Sequence, residues 1–221
     1  MKVILFGATG MVGMGALKAC LADPQVTQVV TVGRSSTHVT HPKLEEIPHK
    51  DLFDMSPIEA KLSGFDAGFF CLGHTSAGLT EAEYTKITYD LTFVVADALS
   101  RLNPNMTFVF VSGTGSDSSE KGPVMWARVK GRAENAILKM KFRQAFVFRP
   151  AFIEPLDGIQ SKTKSYRVMY TLAKPLIPLI RLFVPSSVTT TRQLGKAMIE
   201  VAANGFPKVI LESSDLARFP R

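Results

Sequence analysis

The sequence predicts an α/β fold, a doubly wound and mostly parallel sheet with helices on both faces. Two observations predict it. Short apolar runs, of the length of buried strands, alternate along the chain with longer segments of helical character. The chain has 221 residues, of which 46% are hydrophobic and 20% are charged, so its length and composition suit one globular domain. Because crossovers between parallel strands are right-handed, the helices must lie on both faces of the sheet.

The predicted elements alternate from the first residues to the last. The predicted strands cover residues 3–6, 26–32, 44–47, 67–72, 107–111, 144–148 and 209–211. The predicted helices cover residues 11–22, 57–62, 80–102, 125–138 and 189–203. Thr80 and Glu83 form a capping-box pattern at the start of the longest helix. Prolines interrupt residues 151–188, so we interpret this stretch as a small C-terminal cap that forms a substrate pocket within a single domain, 1–221.

Composition and charge exclude several classes of protein. The net charge is +7, but no basic block of about 5–8 residues is present, so we expect no nucleic-acid partner. Cys20 and Cys71 form no C-x-x-C pair, so we expect no metal site, and a reducing compartment fits two unpaired thiols. No signal-peptide pattern and no apolar stretch of about 18 residues is found, so we expect a cytoplasmic protein.

Residues 172–185 are apolar with a few positive charges, a pattern found in segments that lie on a membrane surface. The prolines in this run oppose one long amphipathic helix. We therefore favour a lid over the substrate pocket and keep peripheral membrane contact as the alternative. An apolar lid favours a hydrophobic or quinone-like small-molecule substrate.

A glycine-rich turn follows the first predicted strand and opens the first predicted helix, in the sequence GATGMVG. This context is typical of a Rossmann-type dinucleotide-binding domain. Gly7 permits the tight turn, Gly10 lets a pyrophosphate approach the backbone, and Gly13 lets the helix pack closely. The backbone N–H groups at the helix start then face the anion, helped by the helix dipole. The predicted phosphate loop consists of Gly7, Thr9, Gly10, Met11, Val12 and Gly13, whereas Gly15 is interpreted as a helix-packing glycine.

The end of the second strand distinguishes the two nicotinamide cofactors. An acidic residue there binds the ribose 2′-hydroxyl of NAD, whereas an arginine accommodates the 2′-phosphate of NADP. The sequence continues with Arg34 and Ser35 and has no acid at this point. A guanidinium fork suits a phosphate group. We therefore predict that NADP(H) is preferred, with NAD(H) as the alternative.

An ordered set of motifs resembles the short-chain dehydrogenase/reductase superfamily, and within it the atypical branch of NmrA-like and Tat-interacting-protein-like oxidoreductases. The set comprises GATGMVG, the GR after strand two, Asp51-Leu52, Cys71-Leu72-Gly73, VSGTGSDSS, WARVKGRAEN and FRPAFIEP. The resemblance implies that Asp51 contacts the adenine amine with Leu52 beside it. It also implies that Leu72 and Gly73 line the adenosine and that residues 150–152, beginning with Pro150, border the nicotinamide.

The chemistry of that superfamily rests on Ser, Tyr and Lys, with Tyr and Lys one helical turn apart. This sequence retains the lysine as Lys130 but has Trp126 in the tyrosine position. An indole N–H donates a hydrogen bond but supplies no proton. The serine position falls on Gly113, with Ser112 and Thr114 on either side. The predicted catalytic residues are therefore Lys130, Ser112, Thr114 and Trp126, with Lys130 also holding the cofactor ribose.

Two classes of function stay open at this point. The first is an NADP(H)-dependent oxidoreductase that works without the usual tyrosine, and the second is a non-catalytic dinucleotide-sensing regulator or assembly factor. An epimerase or dehydratase is a weaker third alternative, because its chemistry also relies on the missing tyrosine. Other groups that could supply the proton are Tyr84, Tyr89, Tyr166, Tyr170 and His74.

Overall fold

The computed structural model describes residues 1–159 and 187–220 and contains a seven-stranded, wholly parallel sheet. The strands are β1 (Lys2–Phe6), β2 (Gln28–Gly33), β3 (Leu44–Pro48), β4 (Ala67–Phe70), β5 (Thr107–Val111), β6 (Gln144–Arg149) and, after two short strands described below, β9 (Ile210–Glu212). Their order across the sheet is β3-β2-β1-β4-β5-β6-β9. The order reverses between β1 and β4, so a crevice opens there at the carboxyl ends of the strands. The predicted α/β fold is confirmed.

Helices cover both faces of the sheet, as right-handed crossovers require. They are α1 (Met11–Ala22), α2 (Glu81–Thr85), α3 (Leu91–Leu102), α4 (Met125–Leu138), α5 (Thr191–Asn204) and α6 (Ser213–Leu216). A 3-10 helix (Ser56–Lys61) precedes β4. Together α1 and α5 bury one face of the sheet, whereas the 3-10 helix, α3 and α4 bury the other. No described helix has the length and apolar character needed to cross a membrane.

Two glycines allow α1 and α5 to cross closely. A Cβ on Gly15 would lie 2.6 Å from the Thr191 carbonyl oxygen, and one on Gly195 would lie 2.6 Å from the Ala19 Cβ. Side chains larger than hydrogen would therefore force the two helices apart. The interpretation of Gly15 as a helix-packing residue agrees with this contact.

The predicted helix 80–102 is divided in the structure. The capping box of Thr80 and Glu83 starts α2 as predicted, with Thr80 Oγ1 accepting from the Glu83 N–H at 3.3 Å. A π-helical turn (Lys86–Asp90) then separates α2 from α3. Such a turn inserts one extra residue and leaves no signature in hydrophobic periodicity.

Two short strands lie in the region predicted as an irregular cap. They are β7 (Phe152–Glu154) and β8 (Val188–Thr190), which pair in parallel as a separate two-stranded sheet. The predicted helix 189–203 consequently begins at Thr191, after β8. Tyr166, Tyr170 and the apolar run 172–185 lie outside the described residues, and so does most of the predicted cap.

Candidate functional site

The glycine loop between β1 and α1 has the conformation that its sequence predicts. Gly7 has a φ of +83°, and a Cβ there would lie 2.8 Å from the backbone nitrogen of Leu72. A Cβ on Gly13 would lie 2.0 Å from the Gly7 carbonyl oxygen. Side chains are therefore excluded at both positions, and α1 begins directly against the end of β1.

The start of α1 presents free backbone donors. Gly10 occupies the N-cap, so no side chain caps the helix, and no acidic residue lies in its first turn. The Gly10 N–H donates to the Gly7 carbonyl at 2.9 Å, but the N–H groups of Met11 and Val12 have no acceptor within residues 1–159 and 187–220. Unsatisfied N–H groups at the positive end of a helix dipole form an anion site.

A pocket of about 280 Å³ lies beside this helix start, lined by Thr9, Gly10, Met14, Lys18 and residues 157–159. The Lys18 ammonium donates to the Asp157 carbonyl at 2.8 Å, and the Asp157 carboxylate pairs with Arg192 at 2.6 Å. The loop that follows β7 is thereby held against α1. The open space over Gly10 fits the passage of a pyrophosphate along the backbone.

Arg34 and Ser35 lie exposed at the end of β2, at the position predicted for the 2′-phosphate. No described group bonds to the Arg34 guanidinium. The same loop is held by Glu46 of β3, whose carboxylate accepts from Ser36 Oγ at 2.6 Å and from the Thr37 N–H at 2.7 Å. Burial by itself raises the pKa of Glu46, but these hydrogen bonds hold that pKa below its ordinary value.

Glu46 was not predicted from the sequence to take part in the site. Its neighbours in the LEEI strand pattern gave no sign that its carboxylate turns toward the loop after β2. The Glu46 carboxylate accepts hydrogen bonds from the loop after β2, whereas the Arg34 guanidinium has no partner among the described residues. The charge that a ligand would meet at this loop is therefore positive.

The residues predicted for the adenosine lie at the same edge of the sheet. Asp51 is exposed, and its carboxylate accepts from the Phe53 N–H at 3.0 Å, which leaves its other oxygen open. Leu52 is buried, so its side chain packs in the core beneath this edge and exposes little surface to a ligand. Leu72 and Gly73 follow β4, and the space around Gly73 is open.

Helix α4 is clamped onto the loop that follows β5. A Cβ on Gly131 would lie 1.8 Å from the Asp117 carbonyl oxygen, and the Asp117 N–H donates to the Ala127 carbonyl at 2.9 Å. Trp126, at the start of α4, packs on the same loop, where a Cβ on Gly115 would lie 3.3 Å from the indole ring. The tryptophan thus contacts the loop that follows β5.

Lys130 lies one turn after Trp126 on the same face of α4. It is half-buried, and no hydrogen bond or ion pair joins its ammonium to a described residue. Burial lowers the pKa of Lys130, and the negative charge of Glu134 offsets part of that effect. An ammonium with three unused donors at this position can hold the hydroxyl groups of a ligand.

The two hydroxyl residues after β5 differ in position. Ser112 is buried, and its hydroxyl donates to the carboxylate of Glu134 and lies 3.0 Å from Ser116 Oγ. Thr114 is exposed, and its N–H donates to the Pro150 carbonyl at 3.1 Å. The space around Gly113 is open. The Ser112 hydroxyl is therefore engaged in the interior, whereas Gly113, whose surroundings are open, carries no side chain.

A buried ionic cluster lies on the inner side of α4, and it was not predicted from the sequence. Glu134 is fully buried and forms an ion pair with Arg149, whose guanidinium Nε also bonds both carboxylate oxygens at 3.2 and 3.1 Å. Arg149 continues to Ser118 Oγ at 2.6 Å and to Glu212 at 3.0 Å. The cluster joins α4 to the ends of β6 and β9, and the buried Pro150 follows directly after Arg149.

Of the other candidate proton donors, the three that the structure describes are buried or engaged. Tyr84 is buried, and Tyr89 stacks on Phe93 and lies beneath Arg132, whose guanidinium carbon is 4.1 Å from the ring centre. The exposed His74 ring bonds the neighbouring Thr75 carbonyl through Nδ1 at 2.9 Å.

The two thiols supply no reactive thiolate at this edge. Burial raises the pKa of the Cys20 thiol to about 12 and raises that of Cys71 further, so both remain protonated near neutral pH. Within the described part of the chain, no group of three or more His, Cys, Asp or Glu residues is placed to hold a metal ion.

Comparison with known proteins agrees with this geometry. The chain is 30% identical over 155 residues to a protein of Meyerozyma guilliermondii named "Protein FMP52, mitochondrial"; the match covers 69% of this chain and 65% of that protein. It thus spans slightly under two-thirds of the relative's length. Further relatives carry the same mitochondrial designation.

The cytoplasmic location expected from the sequence is wrong by this comparison, because the relatives are named as mitochondrial proteins. The expectation rested only on a missing targeting pattern, which is weak ground for a location.

Solved structures share the fold. The Bordetella bronchiseptica enzyme WbmF, solved in complex with NAD+, superposes with a TM-score of 0.68 at 14% identity, covering 98% of this chain and 76% of that one. A short chain dehydrogenase family protein of Francisella tularensis superposes with a TM-score of 0.65 at 11% identity, covering 98% and 99%. Residues 3–121, more than half of the chain, match the model of the NAD dependent epimerase/dehydratase family. With its glycine loop, its strand order and this match, the chain belongs to the NAD-dependent epimerase/dehydratase family.

Proposed function

We propose that this protein binds a nicotinamide dinucleotide across the crevice, prefers NADP(H) and acts as an oxidoreductase without the usual tyrosine, within the NmrA-like branch. The observation that carries the proposal is the start of α1. Gly7 and Gly13 admit no Cβ, Gly10 leaves the helix uncapped, and the first N–H groups face open space. These residues fit a pyrophosphate.

The preference for NADP(H) rests on Arg34. Its guanidinium is exposed at the point where the adenosine ribose would lie and has no partner among the described residues, and the carboxylate of Glu46, beside the same loop, is held by Ser36 and Thr37. A hydrogen bond to a charged group contributes about 1.5–3 kcal/mol. One such contact to the 2′-phosphate therefore favours NADPH over NADH by about 10- to 100-fold.

The remaining residues have separate roles toward the cofactor and substrate. Lys130 would hold the nicotinamide ribose, Trp126 would form a wall beside the reacting groups, and Asp51 would bind the adenine amine through its open oxygen. When bound, the nicotinamide supplies or accepts a hydride. The substrate proposed is a small, hydrophobic carbonyl compound or quinone.

The first experiment is a titration of the purified chain with NADPH and NADH. Trp126 is the only tryptophan in the chain, so its energy transfer to bound dihydronicotinamide reports on binding at this wall. We expect NADPH to bind at least about 10-fold more tightly, and Arg34→Ala to remove that preference. Arg101→Ala is the matched control, because it removes the same charge from an exposed site that pairs with Asp97 and Glu59. Failure of both cofactors to bind would refute the proposal.

A non-catalytic dinucleotide sensor is the second candidate, and two observations favour it. Trp126 stands in the tyrosine position, and the hydroxyl of Ser112 is engaged by Glu134. Turnover of NADPH with a panel of quinones and aldehydes separates the candidates. Tight NADPH binding with no turnover of any member would favour the sensor.

A further inference from the structure

One aromatic and two charged side chains lie in a row on one face of α4. Trp126, Lys130 and Glu134 are four residues apart, so they project from the same face of the helix. The two outer members are fixed, since Trp126 packs on Gly115 and Glu134 is bound within the interior. The row therefore runs from the loop after β5 to the buried cluster at the ends of β5 and β6, with Lys130 between.

The charged groups around Lys130 are committed to other partners. Glu134, the acid one turn away, bonds Arg149 and Ser112. The Asp117 carboxylate of the loop after β5 accepts from Ser119 Oγ at 2.6 Å and from the Gly122 N–H at 2.7 Å.

Helix α2, packed on the other side of α4, engages different residues. Its Glu81 pairs with Arg128 at 2.7 Å, and Tyr89 of the following π-helical turn lies beneath Arg132. Of the described groups, Glu134 is thus the carboxylate whose charge reaches Lys130, and Arg149 already balances it. The Lys130 ammonium is left half-buried, with no hydrogen-bond acceptor in residues 1–159 and 187–220.

We propose that Lys130 is the proton donor of the reaction and takes over the part that the missing tyrosine would have played. This inference rests on the proposed function, because it concerns the same crevice. It explains how a site with Trp126 and Gly113 in place of a phenol and a hydroxyl can complete a reduction. Trp126 positions the carbonyl group, and Lys130 supplies the proton.

The step balances with the groups named. The substrate carbon gains a hydride from the reduced nicotinamide of the proposed function, and its C=O π bond breaks. The carbonyl oxygen takes a proton from Lys130 Nζ, so an alcohol forms and the lysine remains as a neutral amine. Water then returns a proton to the amine. Because burial lowers the pKa of Lys130, both its protonated and its neutral forms are accessible closer to neutral pH than for an exposed lysine.

The first test needs neither cofactor nor substrate. The folded, ligand-free chain is treated with limiting fluorodinitrobenzene over a range of pH, and labelling of each lysine is read by mass spectrometry. The exposed Lys139 at the end of the same helix is the internal reference. We expect labelling of Lys130 to reach its midpoint at a lower pH than that of Lys139. An equal or higher midpoint, or a Lys130 that does not react at any pH, would overturn the proposal.

The second test compares Lys130→Arg and Lys139→Arg in binding and in single turnover with NADPH and nitrobenzaldehyde. Arginine keeps the charge and the donors toward the ribose but cannot release a proton. We expect Lys130→Arg to lower the reduction rate by about 100-fold or more and to change the NADPH Kd less than about threefold, in line with loss of a general acid. The falling limb of the wild-type rate at high pH should also disappear, whereas Lys139→Arg should retain it.

The outcomes separate the two proposals. NADPH binding without reduction of the aldehyde overturns the proton-donor role and leaves the cofactor site intact. A wild-type rate and pH profile in Lys130→Arg overturns it as well. Absence of NADPH binding overturns the proposed function, whatever the labelling shows.

Discussion

The ion pair between Glu134 and Arg149 provides a quantitative test of how this site is held together. Glu134 is 0% exposed and Arg149 8% exposed, and three guanidinium contacts and the Ser112 hydroxyl converge on the carboxylate. Replacement of one partner leaves the other charge buried without compensation, which costs about 3–5 kcal/mol in comparable pairs. Arg149 keeps Glu212, which is partly exposed, and Ser118. We therefore expect Glu134→Leu to lower the free energy of unfolding by about 3 kcal/mol, at the lower end of that range.

A double-mutant cycle with urea unfolding measures this effect. Arg149→Met should cost more than Glu134→Leu, because the fully buried Glu134 carboxylate then keeps only the Ser112 hydroxyl as a hydrogen-bond donor. The double variant should recover much of the loss, since two apolar side chains replace the pair, which gives a coupling energy of at least about 2 kcal/mol. The exposed pair of Asp97 and Arg101 is the control, and Asp97→Ala should cost only about 0.5 kcal/mol. Additive losses at Glu134 and Arg149, or a single loss near that of Asp97→Ala, would refute the reasoning.

Three other predictions follow from single positions. Gly13→Ala should abolish NADPH binding measured by Trp energy transfer and lower the thermal midpoint, because its Cβ would lie 2.0 Å from the Gly7 carbonyl oxygen. Burial alone raises the pKa of Asp215, but the hydrogen bond from Lys208 at 2.9 Å brings that pKa below its ordinary value. The stability that Asp215 contributes should therefore be present above about pH 4 and be lost as the pH falls through the folded pKa. Urea unfolding should show this loss, and Asp215→Asn should flatten it. The pKa of Lys130 is also lowered by folding, so here too the unfolded chain binds more protons than the folded chain. The free energy of unfolding should therefore rise with pH between the folded and the unfolded pKa. Lys130→Met should remove this rise.

The cofactor half of the site could be predicted from sequence because backbone geometry dictates it. Gly7 and Gly13 are required by a positive φ and by close backbone approach, and such requirements admit one residue type. The strands of the main sheet were predicted within a few residues because buried parallel strands are continuous apolar runs. The paired strands β7 and β8 could not be, because three residues each show no period.

The side of the candidate site formed by α4 depends on side chains that meet across elements, which periodicity does not show. No role was predicted from the sequence for Glu134, and Arg149 was placed only at the end of a predicted strand. A signal was present, since Glu134 shares the buried stripe of Ala127, Gly131 and Ile137 at helical spacing. An acid on an apolar stripe requires a buried partner. The same reasoning would have shown that Ser112, which precedes Gly113, could hydrogen-bond the buried Glu134 instead of a substrate.

The position of Lys130 bears on whether the site is used. A lysine kept only for structure would be expected to reach water or a carboxylate, because a half-buried ammonium without an acceptor opposes folding. Here the neighbouring acid is balanced by Arg149, so the fold itself prevents a Lys130–Glu134 ion pair from satisfying the charge. The hydroxyl groups of a bound ligand would satisfy it, and a ligand that binds only the folded chain stabilises it. NADPH should therefore raise the thermal midpoint of the wild-type chain more than that of Lys130→Met at equal saturation. Equal shifts would mean that Lys130 does not contact the ligand, and both its ribose-binding and its proton-donating roles would be refuted.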